Sequence, residues 1–295
     1  MRKTTNFFSF LLFSAAVLVL AGLASQSAPA SDKPKAEDVV SRHLDAIGPT
    51  TARAGLKSLS VEGSLSEKYL RGGTGQTAGP FTMVSTGHKL IMQAKFGIPD
   101  FPGEFYAFDG DKKTIGFMKP GQRSLLEDFI QNSGEVVQDG LFGGVLTTAW
   151  PLYDWQDRKA RIDVDGMKKV DGKELLRVTY HPRHGSGDLK IYLFFDPETF
   201  RHVKTIYTLQ SQGSMGASAN RGSMSGMGAG GSNQTLEEDF GGFSKMENLM
   251  LPTQWTIKYN QEGLGAGSSM IQFDVVVEKV QANPDVAAVS FRIGG

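Results

Sequence analysis

The sequence predicts a mainly β fold of the α+β kind: a single curved antiparallel sheet preceded by one helix. Two stretches predict it. Between Lys173 and Gln210, three runs (Glu174–Tyr180, Leu189–Phe195 and His202–Leu209) are rich in β-branched and aromatic residues and are separated only by HPRHGSGD and DPETF, the composition of half-buried strands and turns. Connections this short demand antiparallel pairing, because a parallel return needs a crossover of roughly a dozen residues or more. Near the C-terminus, Trp255, Ile257 and Tyr259 alternate with Gln254, Thr256 and Lys258, and Ile271, Phe273, Val275 and Val277 repeat the pattern within Met270–Val280. One face of the sheet is therefore apolar and the other largely wet.

The chain opens with Arg2 and Lys3, an apolar run from Phe7 to Leu23, and small residues. This is the layout of a secretory signal peptide over residues 1–30. Cleavage is expected after Gly22-Leu23-Ala24 rather than Ala28-Pro29-Ala30, because of the proline; an uncleaved anchor is the bland alternative. The remainder, 31–295, reads as one domain. From Pro34, PKAEDVVSRHLDAIG places Val39, Val40, His43, Leu44 and Ile47 on one helical stripe, and Gly48-Pro49 ends it.

Strands follow in series. Leu56–Leu65 alternates Leu59, Val61, Gly63 and Leu65, and Gly72–Gly79 reads as a glycine-rich turn. Phe81–Ser85 pairs with His88–Phe96 around Gly87, and Glu104–Asp109 with Thr114–Met118 around Asp109-Gly110. Between them GIPDFPG, with two prolines, is excluded from a central strand. Residues 120–156 break the rhythm. Ser124 caps a short helix to Gln131, and the apolar, glycine-rich stretch GEVVQDGLFGGVLTTAWPLYDW follows. It reads either as a helical lid over the sheet or as a core helix that never moves. Asp165-Gly166 and Asp171-Gly172 read as turns. Glu237-Glu238-Asp239 reads as a solvated acidic edge. Residues 211–234, rich in Gly, Ser and Met, read as a flexible loop between strands.

Composition excludes several function classes. Lys and Arg equal Asp and Glu at 31 each, so no basic excess points to nucleic acid. Loss of residues 1–30 leaves 29 cationic against 31 acidic residues, a weakly acidic protein. Without cysteine there is no disulfide, thiolate site, cysteine nucleophile or lipid-modified N-terminal cysteine. His181-Pro-Arg-His184 sits in a turn with no third ligand nearby, so no metal or other cofactor is expected. Asp163-Val-Asp165-Gly166 with Glu174 fails the calcium-loop pattern, because its glycine is misplaced and Met167 fills a ligand position. His43 lies beside an apolar stripe and reads as packed rather than basic. No motif gathers a Ser-His-Asp set, so no catalytic residue is named.

What remains is the apolar face, which a helix, a lid or a hydrophobic ligand must cover. Nineteen Phe and 11 Met offer a lining that adapts to acyl chains. By alternation its cavity residues are Leu176, Val178 and Tyr180; Leu189, Ile191 and Leu193; Trp255, Ile257 and Tyr259; and Phe273 with Val275.

The order of these pieces resembles the LolA/LolB-like lipoprotein carriers and the RseB-type sensors related to them. The matching residues are AEDVVSRHLDAIG before LKSLSVEGSL, the run LKIYLFFDPETFRHVKTIY, and EEDFGGFSKMENLMLPTQWTIKYN with FDVVVEKVQANPDVAAVSF, in which Leu251-Pro252, Asn283 and Phe291 take the family's positions. The resemblance implies an unclosed curved β-barrel whose apolar concave face is covered by helices. It also implies a non-catalytic periplasmic or secreted binding protein, expected as a monomer, for lipid or lipidated protein. The alternative is an envelope sensor that binds a membrane protein through 120–156, and a secreted hydrolase is the third reading.

Overall fold

In the computed structural model the described residues are 33–185, 187–211, 232–263 and 267–294. The signal-peptide reading and most of the 211–234 loop lie outside them. Helix α1 (Ala36–Ile47) is followed by the short α2 (Thr50–Ala54). Then come β1 (Ser58–Arg71), β2 (Gln76–Thr86), β3 (Lys89–Ile98), β4 (Phe101–Phe108) and β5 (Lys113–Ile115). Helices α3 (Leu125–Asn132) and α4 (Glu135–Gln138) lie between β5 and β6 (Arg161–Val170). The meander β7 (Lys173–His181), β8 (Leu189–Phe195) and β9 (His202–Ser211) leads to β10 (Ser232–Gly241). A small hairpin, β11 (Ser244–Met246) and β12 (Leu249–Leu251), precedes β13 (Gln254–Gly263) and β14 (Gly267–Ala282).

Twelve strands form one sheet in the order β5-β4-β3-β2-β1-β14-β13-β10-β9-β8-β7-β6, and every pairing is antiparallel. The sheet does not close, since β5 and β6 are its two free edges. The first and last long strands meet in its middle, with Leu65 opposite Val275. Beyond β14, Asn283 takes a left-handed φ of 54°. Its side chain accepts from Lys57 N–H at 2.7 Å and donates to the Gly55 carbonyl at 3.0 Å, pinning the entry to β1. Phe291 then packs on Ile91 and Ala107, in a small second core on the face away from the main one.

Several sequence expectations change. The turn after β1 is shorter than Gly72–Gly79, and β2 begins at Gln76. Pro80 fits there because β3 starts pairing one residue later, at Phe81. GIPDFPG keeps its prolines out of a central ladder, as expected, but it does so as the tip of the β3–β4 hairpin, where Ile98 and Phe101 pair across two residues and Pro102 lies at a register break. Asp165-Gly166 is not a turn. Gly166, at φ 88°, is a bulge inside β6, while Asp171-Gly172 does turn the chain into β7. The largest change is Glu237-Glu238-Asp239. It belongs to β10, which lies between β9 and β13 and is not an edge. The edge role falls instead to β6, which carries Arg161, Lys168 and Lys169, charges that discourage pairing with another chain.

Candidate functional site

The inner face of the sheet is built from alternate residues of nearly every long strand. All the inner-face residues named from the sequence lie on it, from Leu176, Val178, Tyr180, Leu189, Ile191 and Leu193 to Trp255, Ile257, Tyr259, Phe273 and Val275, and none is more than 9% exposed. They join one continuous core. What covers them is the chain between the two edge strands, residues 116–160, which runs from β5 to β6 across the concave face. Of this segment only α3 is a helix of more than about one turn. The rest folds through α4 and two 3₁₀ turns, Gly144–Leu146 and Pro151–Tyr153.

Ser124 caps α3 as expected, with Glu127 N–H donating to its hydroxyl at 3.0 Å and the Glu127 carboxylate accepting from its N–H at 3.1 Å. Val136, Val137, Leu141, Phe142, Leu146 and Trp150 of this covering segment are at most 1% exposed. Phe142 meets Trp255 edge-on at 5.1 Å and Phe129 meets Tyr259 at 5.5 Å. The inner face is therefore filled by the protein's own chain, which acts as a plug.

Buried polar groups fasten the plug to the sheet. His43, on α1, lies between two partners. Its Nδ1 donates to the Phe200 carbonyl at 2.9 Å, and its Nε2 accepts from the Trp150 indole at 3.0 Å. Burial first of all lowers its pKa to about 4, so it is neutral and structural. Glu238, from β10, accepts from Gly143 N–H at 2.8 Å and from the Tyr207 hydroxyl at 2.6 Å. Burial raises its pKa to about 8. Tyr180 donates to Asp139 at 3.0 Å, and Arg158 donates to the carbonyls of Asp139 and Ala149, each at 2.9 Å.

Near α3, Glu67, Glu104 and Glu127 are buried, and each keeps one carboxyl oxygen without a hydrogen-bond partner. Burial raises Glu67 and Glu127 to about 7 and holds Glu104 well above the ordinary carboxyl value, with Glu127 beside it adding to the effect. Such groups keep a substantial protonated fraction near neutral pH, which lets an apolar interior hold them.

The histidines of the HPRH turn do not come together as ligands. His181 bonds to Asp163 at 2.9 Å beside Arg161, and His184 is exposed. Among the described residues no three His, Asp or Glu side chains gather as a metal site.

A second feature was not visible in the sequence. At the β5 edge, between the C-terminal tail and residues 116–123, a groove of about 940 Å³ opens, and none of the inner-face residues lines it. Its residues come from positions as far apart as Gln93 and Gly294, so no local pattern announces it.

No family model and no curated protein matches the chain. Solved structures do. The chain is similar to a LolA superfamily protein from Nitrosomonas europaea, with 12% identity, 85% of this chain and 94% of that one covered, and a TM-score of 0.42. It is also similar to a DUF1329 family protein from Desulfovibrio piger, with 8% identity, 86% and 96% covered, and a TM-score of 0.39. A third similar structure is MucB in complex with MucA(peri), with 10% identity, 85% and 100% covered, and a TM-score of 0.22.

Proposed function

We propose that the protein is a non-catalytic binding protein of the periplasm or extracellular space, which holds the acyl chains of a lipid or lipidated protein on the inner face of its half-barrel. One observation carries this reading. The apolar face is covered by an irregular segment of the same chain rather than by a second sheet, so a ligand that replaces this segment leaves the hydrogen-bonded sheet intact. In this reading the plug holds the place of the acyl chains and yields when they arrive.

Magnitudes narrow the ligand. Burying the plug's large apolar side chains is worth about 1.5–3 kcal/mol each, or on the order of 10–20 kcal/mol for Val136, Val137, Leu141, Phe142, Leu146 and Trp150. At about 0.8 kcal/mol per methylene, one sixteen-carbon chain supplies roughly 13 kcal/mol. A single chain barely offsets displacement of the plug, whereas two or three do so comfortably. The reading therefore favours a diacyl lipid or a lipidated protein N-terminus over a free fatty acid on this face.

Native mass spectrometry of the protein purified from its own envelope, with lipid extraction in parallel, tests the reading. A stoichiometric diacyl lipid or acylated peptide is expected. A clean apo mass, together with no uptake of added diacyl lipid, rejects the acyl-binding role. A membrane-protein partner recovered in its place, and lost when 120–156 is altered, moves the function to an interaction protein.

A further inference from the structure

The groove at the β5 edge is not used by the inner-face reading. Four cations, Lys113, Lys119, Arg123 and Arg292, stand around it and no acidic side chain lines it. Three of them are already engaged. Lys119 pairs with Asp100 at 2.9 Å, Arg292 with Asp109 at 2.5 Å, and Lys113 donates to the Gln131 carbonyl at 2.6 Å.

Arg123 is different. Its guanidinium lies over the Phe117 ring at 4.0 Å, yet its Nε is buried without a hydrogen-bond partner, and it forms no ion pair among the described residues. The acid that feels its charge, Glu127, has a carboxyl raised to about 7 by burial and turned into the capping box of α3. Native structures rarely leave a buried guanidinium nitrogen unmatched, because its lost hydration goes uncompensated. Beside it, Phe117 is 46% exposed, a large aromatic facing solvent next to Met118.

One uncommitted planar fork calls for one anion of matching geometry, and a carboxylate fits it in bidentate fashion. The exposed apolar wall calls for a chain attached to that carboxylate. The volume lies within the usual range for a small-molecule site. We propose that this groove binds a long-chain fatty acid, its carboxylate held by Arg123 and its first methylenes laid along Phe117 and Met118. This site is separate from the inner face and does not depend on the reading given for that face.

Titration calorimetry of the purified protein with dodecanoate, dodecanol and inorganic phosphate tests it. Dodecanoate is expected to bind at one site, dodecanol about tenfold or more weakly, and phosphate not measurably, since loss of a charge-assisted pair costs about that factor. Arg123→Gln should weaken dodecanoate about tenfold while leaving dodecanol unchanged, and Arg123→Lys should recover only part of the loss. Phe117→Glu, at an exposed position, places a competing carboxylate beside Arg123 and removes the apolar wall, and should weaken dodecanoate at least tenfold and dodecanol as well, even if Arg123→Gln fails to fold. Binding in the groove should leave the fluorescence of the interior Trp150 and Trp255 unchanged. Equal affinity for dodecanoate and dodecanol, phosphate binding as tight as dodecanoate, or dodecanoate binding that survives these substitutions would each overturn the proposal. If the surviving binding also perturbs Trp150 and Trp255, the fatty acid sits on the inner face instead.

Discussion

Trp150 and His43, 107 residues apart in the chain, share a buried hydrogen bond of 3.0 Å that joins the plug to α1. Because Nδ1 of His43 donates to the Phe200 carbonyl, Nε2 is left as the acceptor and the neutral tautomer is fixed. Protonation would set two donors against each other. Folding holds His43 at about 4, below its unfolded value of 6.5, so its contribution is complete above pH 6.5 and is lost as the pH falls toward 4. Trp150→Phe leaves Nε2 unpaired and should cost about 1–3 kcal/mol at pH 7 by urea unfolding. It should also flatten the His43-linked part of the loss between pH 6.5 and 4.

The buried carboxyls act in the opposite sense. Glu67 and Glu127 at about 7, and Glu238 at about 8, are raised above the ordinary value of 4.5, so the folded state binds more protons than the unfolded. Their stabilisation is complete below pH 4.5 and is lost as the pH rises through 7 and 8. The histidine slope opposes this below 6.5 and is flat above it. Thermal stability should therefore fall between pH 6.5 and 8. Glu238→Gln, which can still accept from Gly143, should remove part of that fall and raise stability at pH 8 by on the order of 1 kcal/mol. A scan of unfolding temperature against pH for both proteins checks this.

Lys204 is the counterweight on the other side of the sheet. It is 4% exposed at its side chain and pairs with Asp171 at 3.1 Å, Glu237 at 2.7 Å and Asp239 at 2.9 Å. Lys204→Met removes the charge that these acids share. The acids are partly exposed, so water compensates some of the loss, and a cost of about 1–2 kcal/mol is expected in chemical denaturation. Adding Asp239→Asn should recover part of it.

Two glycines of the covering segment separate crowding from backbone conformation. Gly140 has φ +69°, and a Cβ there would lie 2.1 Å from the Ala149 carbonyl oxygen; Gly121 has φ +79° and nothing within 4 Å. Gly121→Ala should cost about 1 kcal/mol, the left-handed backbone alone. Gly140→Ala must also move the plug, and should cost at least twice as much by the same measurement.

The meander, the terminal hairpin, the α1 stripe and the Ser124 cap were legible because period and turn chemistry act locally. β10 was not. LEEDF reads as a solvated acidic run, but alternation sends Glu238 inward to Tyr207 and Gly143 while Glu237 and Asp239 meet a lysine on the neighbouring strand. Sequence shows the acids and not their partners. Asp165-Gly166 misled for a related reason, since a bulge and a turn both use glycine at positive φ. The plug has no period because it changes direction every few residues, so its composition announced burial without shape. Arg123 went unremarked because its place in the groove depends on a tail that ends far along the chain.

The central claim is that acyl chains take the place of the plug on the inner face. Fluorescence quenching by a zwitterionic diacyl lipid carrying a nitroxide on one chain tests it most directly. Trp255 is fully buried on that face, against Phe142 of the plug. Saturable quenching of Trp255 is expected in a protein whose other tryptophans are replaced by phenylalanine, with faster amide exchange across 133–155 as the plug is released. Saturable binding of the lipid that leaves Trp255 unquenched and the plug protected would contradict it.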